Sequence, residues 1–318
     1  MSRTQHTTDS PESSSPGLQS LADFLPDVKL DDNASIDSGI GSTNAESDNM
    51  SRRSSTPTLP QVSFTPSHLK HLNQQLEKME PIDILRFSKI LFPNLCQSTA
   101  FGLTGLVTLD MLSRLQAESS DSKSIDLIFL DTLYHFAETY ELVDRIRARY
   151  PHVKLHIFKP NGTETVEQFE QTYGARLYEE SSELYDWVAK VEPQQRAFAE
   201  LGVAAVFTGR RRSQGGQRGD IPVLEVDEER GTIKINPLVN WSFAQVQAYI
   251  REHDVPYNTL LDRGYKSIGD WHSTSPVGEG EGERAGRWKG QQKTECGIHN
   301  KQSRYAQYMQ EMAKKALA

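Results

Sequence analysis

Asn94-Leu95-Cys96-Gln97-Ser98-Thr99-Ala100-Phe101-Gly102-Leu103-Thr104-Gly105 is the stretch on which the fold turns. Its first five residues read as a short buried strand, the next few as a small-residue turn, and a helix then runs through Leu115. A strand, a tight turn and a helix N-terminus together make an anion cradle, because unpaired N–H groups and the helix dipole face the ligand. Many α/β proteins contain such a turn, so the flanking pattern has to carry the assignment.

That pattern repeats. Upstream, Ser67 is positioned to cap a helix bearing Leu69, Leu72 and Leu76, and Pro81 to open a second helix through Leu91. Downstream, Ile125 to Leu130 reads as an apolar strand ending at Asp131, followed by a helix from Phe136 to Arg149. Lys154 to Phe158 and Val203 to Phe207 read as further strands, with a helix around Val166 to Tyr173 between them. Alternating strands and helices imply an α/β fold: a mostly parallel sheet with helices on both faces. Ligands of such sheets sit beyond the carboxyl ends of the strands. The Ser98 turn, the Asp131 segment and the loop after Phe207 are therefore expected around one crevice.

The loop after Phe207 is Thr208-Gly209-Arg210-Arg211-Arg212-Ser213-Gln214-Gly215-Gly216-Gln217-Arg218-Gly219-Asp220. Arginines at 210, 211, 212 and 218 directly after a buried strand suit bidentate binding of phosphate or sulfate. A second basic region surrounds Lys293-Thr294-Glu295-Cys296-Gly297-Ile298-His299, just downstream of Arg284, Arg287 and Lys289. A cysteine among cations ionises more readily, and the thiolate is the nucleophilic form. Cys96, in an apolar strand, reads as a core residue. Asp131, His135 and Glu138 lack regular metal-ligand spacing and read as a ligand-side loop, with Asp131 orienting it or touching a ribose.

Composition narrows the partners. The 318 residues carry a net charge of −8, which gives no global field for nucleic acid or anionic membranes. No apolar run matches a membrane span, and the hydrophilic N-terminus resembles no targeting signal. Two distant cysteines provide neither a disulfide framework nor a four-ligand metal site, and suit a reducing cytoplasm. Residues 1–60, rich in Ser, Thr, Asp and Asn, read as a disordered extension in which Arg52-Arg53-Ser54-Ser55-Thr56-Pro57 is a solvated linker. Residues 65–265 read as the nucleotide-binding domain and 266–318 as a mobile segment carrying Cys296. Its Gly- and Glu-rich part, Ser273 to Gly290, reads as a hinge.

Taken in order, these segments resemble the thioredoxin-dependent phosphoadenylyl-sulfate reductases, particularly the fungal ones. The resemblance runs from about residue 65 to His299. It rests on the Ser98 to Gly105 turn, Leu130-Asp131-Thr132-Leu133-Tyr134-His135-Phe136-Ala137-Glu138-Thr139, the Gly209 to Pro222 loop, Gly264-Tyr265-Lys266-Ser267-Ile268-Gly269-Asp270, and the Glu-Cys-Gly-Ile-His run. It implies an adenine-nucleotide α-hydrolase-like fold related to ATP pyrophosphatases, but the turn here lacks their acidic residue. Adenylyl-sulfate reductases of the same family hold an iron–sulfur cluster on two cysteine pairs. The corresponding positions here are Tyr185-Asp186 and Asp270-Trp271-His272-Ser273, which contain no cysteine. No cluster, metal or other bound cofactor is expected, and 3′-phosphoadenylyl sulfate is the expected substrate.

The resemblance also implies roles. Cys296 would form an S-sulfocysteine that reduced thioredoxin, or glutaredoxin in its place, discharges as sulfite. Lys293 and His299 would lower the thiol pKa and offset sulfuryl charge. Substrate would be held by Ser98, Thr99, Gly102, Thr104, Asp131, Lys190, Gly209, Arg210, Arg211, Arg212 and Arg218, with Arg284 and Arg287 closing from the tail. A cytoplasmic homodimer working in sulfate assimilation is expected. The competing readings are a cluster-free adenylyl-sulfate reductase and a non-catalytic nucleotide-binding regulator.

Overall fold

The computed structural model describes residues 64–118, 124–227, 231–291 and 293–299. The extension 1–60, with its Arg52 to Pro57 stretch, and the chain beyond His299 lie outside the described residues.

Two helices lead in, α1 (Pro66–Leu76) and α2 (Pro81–Leu91). Thr65, not Ser67, caps α1: its side chain accepts from the His68 N–H, and Pro66 takes the first helical position. Proline fits there because its missing N–H would have had no partner. The sheet is then built from β1 (Leu95–Ser98), β2 (Asp126–Leu130), β3 (Leu155–Phe158) and β4 (Ala205–Phe207), all parallel. Helices α3 (Leu103–Glu118), α4 (Ala137–Arg149) and α5 (Val166–Tyr173) connect them, followed by short turns α6 (Leu177–Glu180) and α7 (Ser182–Asp186) and by α8 (Glu192–Glu200).

The hairpin of β5 (Leu224–Asp227) and β6 (Thr232–Ile235) and the helix α9 (Phe243–Glu252) complete the chain order. The sheet reads β3-β2-β1-β4-β6-β5, with β6 parallel to β4 and β5 antiparallel at the edge. The α/β class expected from the sequence is the one observed. The chain leaves β1 toward β3 and returns to β4 on its other side, so the strand order reverses between β1 and β4. That reversal opens the crevice where such sheets bind ligands.

Alternation along the strands fixes the two faces. Leu95, Leu127, Phe129, Ala205 and Phe207 join the large core beneath α2, α3, α4 and α9. Cys96, Ile128, Leu130, Phe158 and Val206 face the other way and pack on Ala197 and Phe198 of α8. Cys96 is thus a core residue.

Between α7 and α8 the backbone widens into a π-helical turn, Trp187–Val191. Pro193 supplies a physical reason, since it has no N–H to return to the Ala189 carbonyl. Within this turn Lys190 is buried.

Candidate active site

The turn after β1 is shaped by short contacts. Thr99 Oγ1 accepts the Phe101 N–H at 2.9 Å, and Phe101 itself takes a positive φ of 55°. A Cβ on Gly105 would stand 2.7 Å from Thr99 Oγ1, and one on Gly209 3.3 Å from the Gly105 nitrogen. The loop after β4 therefore packs at Gly209 closely against the start of α3 at Gly105, where a side chain would crowd both.

Around this junction lies a cavity of about 240 Å³. Ser98 to Gly105 form its floor, Thr208 to Arg210, Gln214 and Arg218 one wall, and Lys190, Gln194 and Phe198 another. Lys266 to Asp270, Glu283, Arg284, Arg287 and Trp288 close it, and Cys296, Ile298 and His299 reach in from the end of the described chain. Residues separated by about two hundred positions thus meet at the carboxyl ends of β1 and β4.

Of the sequence-expected site residues, Ser98, Thr99, Gly102, Thr104, Lys190, Gly209, Arg210, Arg218, Arg284, Arg287, Cys296 and His299 line the cavity. The others stand elsewhere. Asp131 accepts from Tyr140 Oη at 2.7 Å and from the Leu133 N–H at 3.0 Å, which fixes its loop. Arg211 is fully buried and bonded to Thr104, Ser213, the Trp241 carbonyl and Glu283. It ties the loop after β4 to the tail instead of facing ligand. Arg212 turns outward to Glu77, Asn240 and the Ile221 carbonyl.

The four loop arginines thus divide into two that face the cavity and two that brace its walls. Arg210 pairs with Glu225 and contacts Thr208. Arg218 donates through Nε and Nη2 to both oxygens of Glu295, at 2.6 and 2.8 Å.

Lys293 also departs from its expected place. Its Nζ lies 2.6 Å from Asp186 Oδ2, not in the cavity lining. His299 cannot supply positive charge: burial, followed by nearby Arg210 and Arg218, pushes its pKa well below the ordinary value. Some of its surface remains accessible, but Nδ1 is shielded and unpartnered, so we treat the ring as neutral. Lys190, Arg284 and Arg287 each interact electrostatically with Cys296.

Lys190 sits 2.8 Å from Asp270 and 3.1 Å from Asp186. Burial alone would neutralise it, but the two carboxylates more than offset that and raise its pKa. Asp270 is held further by the Thr132 hydroxyl at 2.6 Å, and its own pKa is depressed, Lys190 and His135 outweighing burial. Arg287 stacks over Trp288 at 4.6 Å, and a Cβ on Gly269 would clash with its guanidinium. Among the described residues no group of three or more His, Cys, Asp and Glu could hold a metal ion.

The stretch read as a mobile hinge has definite form. Thr274 bridges Arg287, and the Ser275 N–H bonds the Gly286 carbonyl at 2.9 Å, closing a loop between them. Glu283, inside that loop, reaches Arg211 and Gln214. Glycine content hid this, because the ties come from Arg211 and Gln214 far upstream.

Five cavity residues escaped the sequence reasoning: Gln194, Phe198, Lys234, Leu261 and Trp288. Lys234 carried a signal, a lysine inside the alternating Thr232-Ile233-Lys234-Ile235 run, buried against Asp227 at 2.7 Å.

The phosphoadenosine phosphosulfate reductase domain profile matches residues 94–276. The chain belongs to that family. Among curated members it is 58% identical to the phosphoadenosine phosphosulfate reductase of Emericella nidulans, over 85% of this chain and 87% of that one. It is 52% identical to the Saccharomyces cerevisiae enzyme, over 79% and 97%. The crystal structure of phosphoadenylyl-sulfate reductase from Candida auris, a phosphate complex, superposes with a TM-score of 0.61 at 54% identity. That alignment covers 68% of this chain and all of the other (100%). The family match spans the turn after β1, the arginine loop and Asp270, so the reductase family's matched region supplies most of the cavity described above. The tail segment with Cys296 lies beyond it.

Proposed function

We propose that this chain reduces 3′-phosphoadenylyl sulfate to sulfite and adenosine 3′,5′-bisphosphate, as an oxidoreductase acting on a sulfur group in sulfate assimilation. The observation that carries the reading is Cys296 in the wall of a cation-lined cavity at the β1–β4 reversal. Membership of the reductase family supports it.

In this mechanism the nucleotide phosphates lie over the turn after β1, whose N–H groups and helix α3 face the anion. Arg210, Arg218 and Lys234 offer charge to the 3′-phosphate end, and Arg284, Arg287 and Lys190 to the sulfuryl end beside Cys296. The Cys296 thiolate attacks sulfur, the sulfur–oxygen bond to the nucleotide breaks, and adenosine 3′,5′-bisphosphate leaves with the electron pair. Preorganised cations stabilise that developing charge without reorganising.

A thioredoxin thiolate then attacks Cys296 Sγ, and sulfite departs. The second thioredoxin cysteine resolves the mixed disulfide, restoring the Cys296 thiol and leaving oxidised thioredoxin. The two electrons come from thioredoxin, so no bound redox group is needed. The loop from Thr274 to Arg287 would move to admit thioredoxin, as catalytic lids do. A cytoplasmic homodimer belongs to the same reading; no helix among the described residues is long and apolar enough to cross a membrane.

Intact-protein mass spectrometry tests it. Mixing the reduced chain with 3′-phosphoadenylyl sulfate, without thioredoxin, should add about 80 Da, the mass of a sulfonate. Reduced thioredoxin should remove the adduct, and Cys296→Ser should never form it. Nucleotide binding with no adduct would instead favour the non-catalytic regulator. An equal adduct rate with adenylyl sulfate would overturn the substrate assignment.

A further inference from the structure

Asp186 ends α7 and lies buried beneath the segment that carries Cys296. Its carboxylate has three partners. Oδ1 accepts from Lys190 at 3.1 Å, while Oδ2 accepts from Lys293 at 2.6 Å and from the Gly297 N–H at 2.8 Å. The last two partners come from the tail, three residues before Cys296 and one residue after it. The approach is close: a Cβ on Gly297 would stand 3.0 Å from Val191 Cγ2 and 3.2 Å from Asp186 Cβ.

Charge makes this contact directional. On the core side, two carboxylates, Asp186 and Asp270, share one ammonium, Lys190. Lys293 supplies the missing positive charge only when the tail is down. Burial opposes ionisation of Asp186, yet Lys190 and Lys293 hold its carboxyl below the ordinary range. A lifted tail leaves Asp186 paired with Lys190 alone, a state that is tolerable but less balanced.

We propose that Asp186 is a positioning residue, the latch that draws Cys296 down over the cavity and on which sulfur transfer depends. This rests on the reading of Cys296 as nucleophile. Asp186 touches the segment on both sides of the cysteine and never the reacting atoms.

Asp186→Asn preserves size and an oxygen for the Gly297 N–H, but removes the charge that holds Lys293. With the full-length chain before substrate is added, alkylation of Cys296 by iodoacetamide should accelerate about tenfold, located by peptide mass. Adduct formation from saturating 3′-phosphoadenylyl sulfate should slow by a similar factor, while affinity for adenosine 3′,5′-bisphosphate changes less than about twofold. Lys293→Gln approaches the same contact from the tail and guards against misfolding of the core variant. The two changes should be non-additive when combined.

A purely structural role would lower the melting temperature without selectively exposing Cys296. Wild-type alkylation rates in both folded variants would overturn the latch. Absence of an adduct in the wild type, with faster alkylation still seen in the variants, would overturn the nucleophile reading and leave the latch standing.

Discussion

Arg218 grips Glu295, one residue before Cys296, through hydrogen bonds from Nε and Nη2 to its two carboxylate oxygens. Arg284 adds a longer contact to the same carboxylate at 3.3 Å. Burial alone would favour protonation of Glu295, but Arg218 and then Arg284 keep its pKa depressed. Arg218, proposed to meet the 3′-phosphate end, therefore already has an anion, which a phosphate bound there would have to share or displace.

Glu295→Gln is expected to remove that competitor. Affinity for adenosine 3′,5′-bisphosphate should rise about tenfold, on the scale of one charge-assisted hydrogen bond. Adduct formation at Cys296 should slow, because the segment loses one of its ties. Titration calorimetry and single-turnover mass measurements read the two effects separately; weaker nucleotide binding would show that Glu295 supports the phosphate site instead of occupying it.

Neighbouring arginines should differ sharply. Arg218→Ala is expected to weaken nucleotide binding by about 10²-fold, whereas Arg212→Ala, whose partners are Glu77, Asn240 and the Ile221 carbonyl, should change it by less than about twofold. Equal losses in a direct binding assay would contradict the orientations described.

Arg211 should act on stability. It is fully buried and its guanidinium has four partners, so truncation to Ala leaves the Glu283 carboxylate without its charged partner, with only the Gln214 amide, and empties the space between loop and tail. Removing one member of a buried ion pair costs about 3–5 kcal/mol. A urea unfolding midpoint close to the wild type would rule this out.

His272 predicts a pH dependence. Burial lowers its pKa from 6.5 to about 4, an effect that Asp270 only partly opposes. The fold therefore favours the neutral ring, stacked on Tyr178 at 3.9 Å. Stability from this group is complete above the unfolded value of 6.5 and is lost as pH falls toward about 4, since the unfolded chain takes up the proton first. The depressed carboxylates Asp186, Asp270 and Glu295 contribute stability that is full above the ordinary carboxylate range and is lost only as pH falls into and below that range. Melting temperatures should fall between pH 6.5 and 4 in the wild type and fall less in His272→Phe.

The strands that place the site were legible because β2 and β4 are buried on both faces and read as short apolar runs, and β1 as a short buried strand leading into a small-residue turn. The β5–β6 hairpin was not, since Glu225, Asp227 and Lys234 interrupt its apolar pattern with charges that satisfy one another and Arg210. Arginine identity in the loop after β4 was readable, but direction was not. Adjacent side chains diverge, so Arg210 faces the cavity, Arg211 the interior and Arg212 the outside. Nearness in sequence also misled at Cys296. Lys293 is claimed by Asp186 and His299 loses its charge to burial, while Lys190, from a distant π-helical turn, couples to the cysteine.

Cys296 is only partly exposed and lines the same cavity as Arg284 and Arg287, with its flanks tied to Asp186 and Arg218. Peroxide and small disulfides meet a reactive thiol only when it is presented to solvent. On the proposed reading, the same ties that would aim the sulfur at substrate also limit its exposure between turnovers. Partial shielding from irreversible oxidation would then come with catalytic alignment and require no second cysteine.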